Sequence, residues 1–154
     1  METSKYINEE LVHKVLSKMQ GTNEVFYSDK IQYTHSTFEE GLLCRSHFVI
    51  KVTNQMKDKN DYLTREVVEE LLDFLPFRAC DGFENFRPKI TLKLSIQFVN
   101  KVPVGDQVIF QSDVQKVGKQ NGALGGKMID PVSNLVIAQC QSVFIYADEL
   151  LAKL

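Results

Sequence analysis

The chain contains no tryptophan and little cysteine or proline, with three and four of these in 154 residues. Cys44, Cys80 and Cys140 are widely spaced and form none of the CxxC pairs that zinc and thioredoxin sites use. They are predicted to be reduced core thiols, and no metal is expected. No run approaches the ~18 apolar residues of a membrane-spanning helix, and the N-terminus is acidic rather than an apolar signal sequence. These absences argue against a membrane span and a secreted protein.

Neither sign of charge dominates, because 18 Lys and Arg oppose 20 Asp and Glu for a formal net charge of -2. The sequence therefore lacks a chain-wide basic field that would recruit nucleic acid or an anionic membrane. Hydrophobic residues make up 44% and charged residues 25%, a globular composition. The length suits one domain, and repeats and linkers are absent, so residues 1–154 are predicted to form a single domain.

The first half of the chain alternates between helical and strand patterns. Apolar residues at helical spacing over 8–19 predict a helix within residues 1–21. Residues 30–38 and 42–53 are rich in β-branched and aromatic side chains and predict two strands. A second helix is expected after Thr64, a good cap, with an end or kink at Pro76 and a loop over 80–88.

The second half reads as four strands. Leu92, Leu94, Ile96 and Phe98 alternate with polar residues, the period of a half-buried strand. Residues 108–117, 123–129 and 135–146 continue the pattern, with Gly125–Gly126 predicted to make a bend or a close packing contact. This order predicts an α+β fold in which one antiparallel sheet wraps the second helix. The free sheet edges favour pairing into a homodimer.

A series of residues in one order carries a family resemblance. A turn precedes the second helix, and an acidic residue lies on that helix. The next strand starts with a hydroxyl residue and is followed by a turn of Gly and an acidic residue and by a Gly-Lys turn. The last strand is first aliphatic, then has Ala, and is then polar. These elements are Leu63–Glu66, Asp73, Thr91–Val99, Gly105–Asp106, Gly118–Lys119 and Asn134–Ser142. The stretch from Asp58 to the end, about two thirds of the chain, resembles the phenylacetate-pathway (PaaI-like) branch of the hotdog-fold acyl-CoA thioesterases.

The resemblance implies a hotdog fold and hydrolysis of an acyl-CoA thioester to free acid and coenzyme A, without a cofactor. It implies that Asp73 is the catalytic carboxylate and that Thr91 hydrogen-bonds water or substrate. Whether Asp73 acts as a general base or as a nucleophile stays open. Read without the resemblance, Asp73 is part of a solvated acidic face opposite the apolar stripe of its helix.

The resemblance also implies a coenzyme A site at Gly118 and Lys119, with Lys101 as a further phosphate candidate. Gly-Lys is equally a plain hairpin turn. One departure stands out, because the family's His-Gly-Gly turn is replaced here by side chains that include Arg65 and Glu66. A backbone N–H at the start of the helix remains available to polarise a carbonyl, so Arg65 and Glu66 mark the candidate oxyanion turn.

Three functions follow as hypotheses. The first is an acyl-CoA thioesterase acting as a homodimer or tetramer. The second is a catalytically inactive hotdog module that binds acyl-CoA or acts as an oligomerisation scaffold, favoured by the lost turn. The third, a hydratase or dehydratase, lacks a His-Asp pair suited to that chemistry.

The chain closes with Ala152, Lys153 and Leu154, which resemble the Ser-Lys-Leu peroxisomal address. This tail predicts import into the peroxisomal matrix by an import receptor that binds the free C-terminus.

Deleting Leu154 is expected to leave the protein in the cytosol, because the receptor reads the terminal residues. Fluorescence microscopy of the tagged full-length and truncated proteins, in cells without a native partner, tests this. Peroxisomal location of the truncated form would contradict it.

Overall fold

The computed structural model describes residue 10 and residues 28–37, 44–84 and 87–148. Apart from residue 10, the predicted helix within residues 1–21 lies outside these ranges, and so does the predicted targeting tail 152–154. The elements are β1 (Ile31–Thr37), β2 (Cys44–Lys51), α1 (Arg65–Glu84), β3 (Lys89–Phe98), β4 (Gln107–Val117), β5 (Asn121–Ile129) and β6 (Val136–Tyr146). In the described part of the chain, no helix has the length and apolarity needed to cross a membrane.

The six strands form one antiparallel sheet in the order β1-β2-β4-β5-β6-β3. The helix α1 packs mainly on β4 and β5, at the middle of the sheet. A single antiparallel sheet wrapped on one helix confirms the predicted α+β hotdog arrangement. β3 follows α1 in sequence, yet it pairs beside the last strand and forms one edge of the sheet.

The core lies between α1 and the face of the sheet on which it packs. The helix contributes buried residues at helical spacing, and the sheet contributes aromatic and large aliphatic side chains. Burying a Leu or Phe side chain contributes about 1.5–3 kcal/mol. The helix side chains are Val68, Leu71, Leu72, Leu75 and Ala79, and the sheet side chains are Phe48, Phe110, Leu124, Met128 and Phe144.

The helix does not end or bend into a loop where the sequence predicted. Pro76 lies inside α1, which continues to Glu84, so the predicted loop over 80–88 is wrong for its first half. Proline has no N–H, and its ring crowds the carbonyl four residues earlier, which in α1 is that of Leu72. The helix needs another partner for that carbonyl.

Cys140 supplies that partner. Its Sγ donates a hydrogen bond to the Leu72 carbonyl at 3.4 Å, and burial raises the pKa of the thiol to about 12, so the thiol keeps its proton. The predicted reduced state is confirmed for Cys44, Cys80 and Cys140, which are buried free thiols. The proline is thus tolerated because a strand, rather than the helix, satisfies the orphaned carbonyl.

Small residues in the sheet let Pro76 of α1 come close to the strands. A Cβ atom built on Gly126 would lie 3.1 Å from Pro76 Cγ and 3.0 Å from Cys140 Sγ, which confirms the predicted close contact. Gly126 belongs to a row of directly paired residues across the sheet. The row runs through Ser36, Ser46, Ser112, Gly126 and Cys140.

β3 differs from the predicted half-buried strand. Leu94 and Ile96 are half-buried, whereas Ile90, Leu92 and Phe98 are 45%, 60% and 46% exposed. The register with β6 shifts between Thr91 and Lys93, so Leu92 lies in a bulge. The alternation in the sequence identifies the strand correctly, but within the described part of the chain nothing covers these residues on the edge strand.

The contact between the proline and the thiol can be tested by a double-mutant cycle. Pro76→Ala restores an N–H for the Leu72 carbonyl and makes the Cys140 thiol redundant. Cys140→Ala should therefore lower the free energy of unfolding by about 1 kcal/mol more in the native chain than in the Pro76→Ala background. Urea denaturation of the four proteins measures this difference, and additive effects would contradict the proposed hydrogen bond.

Candidate active site

Asp73 lies on the exposed side of α1, between residues that face the core. Leu71, Leu72 and Leu75 are fully buried, which turns the Asp73 carboxylate away from the sheet interior. This matches the predicted position opposite the apolar stripe. The carboxylate is therefore accessible to a molecule outside the single chain.

Asp73 and Thr91 line the same groove, whose volume is about 430 Å³. Phe74 and Phe77 supply its apolar part. The structure thus brings together the two predicted catalytic side chains, one from the middle of α1 and one from the start of β3. A carboxylate and a hydroxyl in one groove are suited to orienting a water molecule for attack on a carbonyl.

Asp73 also borders an acidic depression on its other side. Glu66, Glu69 and Glu70 line this depression together with Leu94 and Ile96 of β3. The predicted turn residue Glu66 is therefore on the same face of the helix as Asp73. Several carboxylates on one exposed face repel one another, so this face favours a cationic or hydrogen-bonding neighbour.

The start of α1 is a capped helix terminus. Thr64 Oγ1 accepts a hydrogen bond from Val67 N–H at 3.4 Å, which confirms Thr64 as the cap. The preceding loop is closed by Asp58, whose Oδ1 accepts backbone N–H groups of Asn60 and Tyr62. The first N–H groups of a helix have no partner within the helix, so those of Arg65 and Glu66 point outward.

A second cavity, of about 690 Å³, lies beside this helix start. Arg65 and Lys101 both line it, and each cation lies over an aromatic ring, 5.3 Å from the centroid of Phe98 and 4.7 Å from that of Tyr62. Arg65 Nε also donates to Glu69 Oε1 at 2.7 Å. The Arg65 side chain is thus held against its own helix and Phe98.

The helix start and Asp73 are too far apart to act on one atom within a single chain. Eight residues separate Arg65 from Asp73, which corresponds to about 12 Å along a helix axis. A reacting carbonyl cannot contact both a backbone N–H of the turn and the Asp73 carboxylate of the same molecule. A site that uses both features needs two chains.

Gly118 and Lys119 form the hairpin between β4 and β5. Gly118 N–H donates to the Asn121 carbonyl at 2.7 Å, and the Lys119 side chain is exposed. The hairpin adjoins the groove of Asp73, because Arg87, which lines that groove, donates through Nη2 to the Lys119 carbonyl at 3.2 Å. Lys101, in the other cavity, is not part of this groove.

The structure adds residues that sequence reasoning missed. Arg78, Asp81, Arg87 and Lys89 line the groove beyond Asp73 and Thr91. The predicted helix end or kink at Pro76 and loop from residue 80 hid Arg78 and Asp81, since a helix that ended at Pro76 would not carry them along its axis. The available signal was the apolar spacing that continues from Leu75 to Ala79 beyond the proline. Among the described residues, no group of three His, Cys, Asp or Glu side chains is placed to hold a metal ion.

No protein-family model matches the chain, and no curated protein matches it in sequence. Solved structures do match. Zebrafish thioesterase superfamily member 2 is 17% identical, with a TM-score of 0.71, and the match covers 88% of this chain and 95% of that one. The Escherichia coli PaaI protein of the phenylacetic acid degradation operon is 17% identical, with a TM-score of 0.67 and coverage of 89% and 94%.

A third match is the Streptococcus mutans protein smu.793 bound to acetyl CoA. It is 12% identical, with a TM-score of 0.62, and the match covers 82% of this chain and 95% of that one. At these identities the likeness is one of fold. The chain therefore has the fold of the thioesterase-superfamily proteins, and what it does must be argued from its own residues.

Proposed function

We propose that this protein is an acyl-CoA thioesterase that hydrolyses an acyl-CoA thioester to the free acid and coenzyme A. The observation that carries this proposal is the shared groove of Asp73 and Thr91 in a chain with a thioesterase-superfamily fold. The acetyl CoA bound to the similar Streptococcus mutans protein supports the substrate class.

In the proposed reaction the Asp73 carboxylate orients or deprotonates a water molecule that attacks the thioester carbon, or attacks that carbon itself. Thr91 hydrogen-bonds the water or the substrate. The outward N–H groups at the start of α1, at Arg65 and Glu66, stabilise the negative charge that develops on the carbonyl oxygen. The C–S bond then breaks, and coenzyme A leaves as the thiol after taking up a proton. Where Asp73 has attacked the carbon directly, water then hydrolyses the anhydride between the acyl group and Asp73, which releases the free acid.

The distance of about 12 Å between the turn and Asp73 makes this reaction depend on a homodimer. In the proposed assembly, Asp73 of one protomer faces the helix start of its partner. The edge strand β3 supports this pairing, because its backbone edge and its exposed apolar side chains Ile90, Leu92 and Phe98 are available to a second copy.

Coenzyme A is proposed to leave the groove past the hairpin of Gly118 and Lys119. Arg87 connects this hairpin to the groove, and the exposed Lys119 ammonium is suited to a phosphate. Lys101 is a weaker candidate, because it lines the other cavity and lies over Tyr62. The carboxyl-terminal tripeptide supports a peroxisomal location for the reaction.

One observation favours a second candidate function, a module that binds acyl-CoA without hydrolysing it. In the resembling family, a position ahead of the turn commonly holds Asn or Gln, and Asp58 falls near it here. Its Oδ1 accepts backbone N–H groups of its own loop instead. Side chains of Arg65 and Glu66 stand where the resembling family has glycine, which admits substrate close to the main chain. Activity measurements on the purified protein separate the two functions.

Replacing the exposed Leu92 with Glu should prevent pairing through β3, because it puts a charge into an apolar contact. Light scattering after size exclusion should give a monomer, and thioester hydrolysis should be lost with it. Val132→Glu is the matched control, since Val132 is 90% exposed in the turn between β5 and β6. A Leu92→Glu protein that stays dimeric, or a fully active monomer, would refute the proposed assembly.

Asp73→Asn should lower kcat for acyl-CoA hydrolysis by about 100-fold or more, because it keeps the size of the side chain and removes its basicity. Thermal unfolding should stay nearly unchanged, within about 0.5 kcal/mol in free energy, since the residue is exposed. Thiol release from a panel of acyl-CoA esters measures the rate.

The control is Glu70→Gln, which removes a carboxylate from the same exposed face of α1 and should retain activity. Equal activity of the Asp73→Asn and native proteins would show that Asp73 is part of a solvated acidic face. A native protein that binds acyl-CoA esters but hydrolyses none would favour the non-catalytic module.

A further inference from the structure

The guanidinium of Arg65 is held in place at the start of α1 by contacts on two sides. Its Nε donates a hydrogen bond to Glu69 Oε1 at 2.7 Å, one turn further along the helix. Its Cζ lies 5.3 Å from the centroid of the Phe98 ring at the end of β3. An ion pair and an aromatic ring that contact one planar group restrict its rotation. The orientation of the guanidinium is therefore set before a ligand binds.

Most of the donors of this guanidinium face away from its own chain. The Arg65 side chain is 75% exposed. Among the residues that the structure describes, its Nε has an acceptor, in Glu69, whereas its two Nη groups have none. A guanidinium carries five N–H donors and keeps its charge at any physiological pH. Arg65 thus presents an oriented pair of Nη groups to a molecule outside the chain.

The edge strand β3 determines what lies opposite these donors in the proposed homodimer. Antiparallel pairing of two β3 strands about a two-fold axis places Phe98, at the end of one strand, near Thr91, at the start of the other. Both residues lie on the α1 side of the sheet, since Phe98 contacts Arg65 and Thr91 lines a groove with Asp73. In such a dimer Arg65 of one protomer faces the groove of Asp73 and Thr91 of its partner.

The charges around the helix start make a cation necessary for an oxyanion there. Glu66 and Glu70 lie on the exposed acidic face, and their carboxylates oppose negative charge that develops nearby. Backbone N–H groups at a helix start carry only partial positive charges. Arg65 brings a full positive charge to the position where the resembling family has glycine. Lys101, which lines the same cavity, lies over Tyr62 rather than over the edge strand.

We propose that the Arg65 side chain is a catalytic residue that acts across the dimer interface. Its Nη groups donate hydrogen bonds to the carbonyl oxygen of a thioester whose carbon lies at Asp73 of the partner. When the nucleophile adds to that carbon, the π electrons of the carbonyl move to the oxygen, and the guanidinium stabilises the charge without losing a proton. The electrons return to the carbon as the C–S bond breaks. This inference rests on the proposed thioesterase function and its dimer.

Arg65→Gln should lower kcat for acyl-CoA hydrolysis by about 100-fold, the effect of removing one oxyanion donor. The affinity for a non-hydrolysable coenzyme A thioether, which has no carbonyl, should stay unchanged. Arg65→Lys keeps the charge but loses the planar fork, so it should restore only part of the rate. Thiol release measures kcat and KM, and isothermal titration measures the affinity for the thioether. A merely structural role would change the affinity together with the rate.

Arg45→Gln is the matched control. Arg45 Nε pairs with Asp113 Oδ1 at 2.7 Å, the distance that Arg65 Nε has to Glu69. Its strand β2 is separated from β3 by four strand spacings, or roughly 19 Å. This variant should keep the native kcat, which separates loss of an oxyanion donor from general loss of an ion pair.

Mixing two variants tests whether Arg65 acts across the interface. A dimer of one Asp73→Asn chain and one Arg65→Gln chain has one site with both native side chains and one site with neither. After subunit exchange between equal amounts of the two variants, half of the dimers are mixed, so about a quarter of the native activity should return. A residue that acts with Asp73 of its own chain would restore none.

The outcomes separate this inference from the proposed function. Native kcat in the Arg65→Gln protein, or no recovery of activity in the mixture, overturns the inference and leaves the thioesterase activity standing. A native protein that hydrolyses no acyl-CoA ester overturns the proposed function and the role of Arg65 with it. Recovery in the mixture, with unchanged thioether affinity of the Arg65→Gln protein, supports the inference.

Discussion

The placement of α1 on the sheet depends on one contact, in which Pro76 packs over Gly126 while the Cys140 thiol donates to the Leu72 carbonyl. Proline in a helix removes a hydrogen bond and costs about 3 kcal/mol when nothing replaces it. Here the strand replaces the missing donor, and the absence of a side chain at Gly126 lets the ring come close. The helix can therefore continue for two more turns and carry Arg78 and Asp81.

Charge is arranged unevenly along this helix. Its first half presents the carboxylates of Glu66, Glu70 and Asp73, with Arg65 at the helix start. Its second half carries Arg78, which is paired with Asp81 and lies in the same groove as the buried Lys89 of β3. A bound molecule that spans Asp73 and Arg78 contacts a carboxylate, which can accept a proton, at one end and a guanidinium cation at the other. This polarity gives the groove a direction, which a uniformly acidic helix face would lack.

Much of the fold could be predicted from the sequence, because hydrophobic period and turn residues are local signals. The alternation at Leu92–Phe98 predicted β3, and composition with turn residues predicted the other five strands. The helical spacing at Val67–Leu75 predicted the central helix. The extent of α1 could not be predicted, since the partner that makes Pro76 tolerable lies 64 residues away at Cys140. Asp73 and Thr91 were predicted as catalytic residues through a resemblance, whereas Arg78 and Asp81 were missed because the proline concealed the length of the helix.

The distance between the start of α1 and Asp73 has a kinetic consequence. If each catalytic centre takes its carboxylate from one chain and its backbone donors from another, catalysis is second order in protein on dilution below the dissociation constant of the dimer. Specific activity would then depend on the protomer concentration as well as on the substrate concentration. Confinement to a small compartment would raise that concentration, so the volume in which the chain is held would itself regulate turnover.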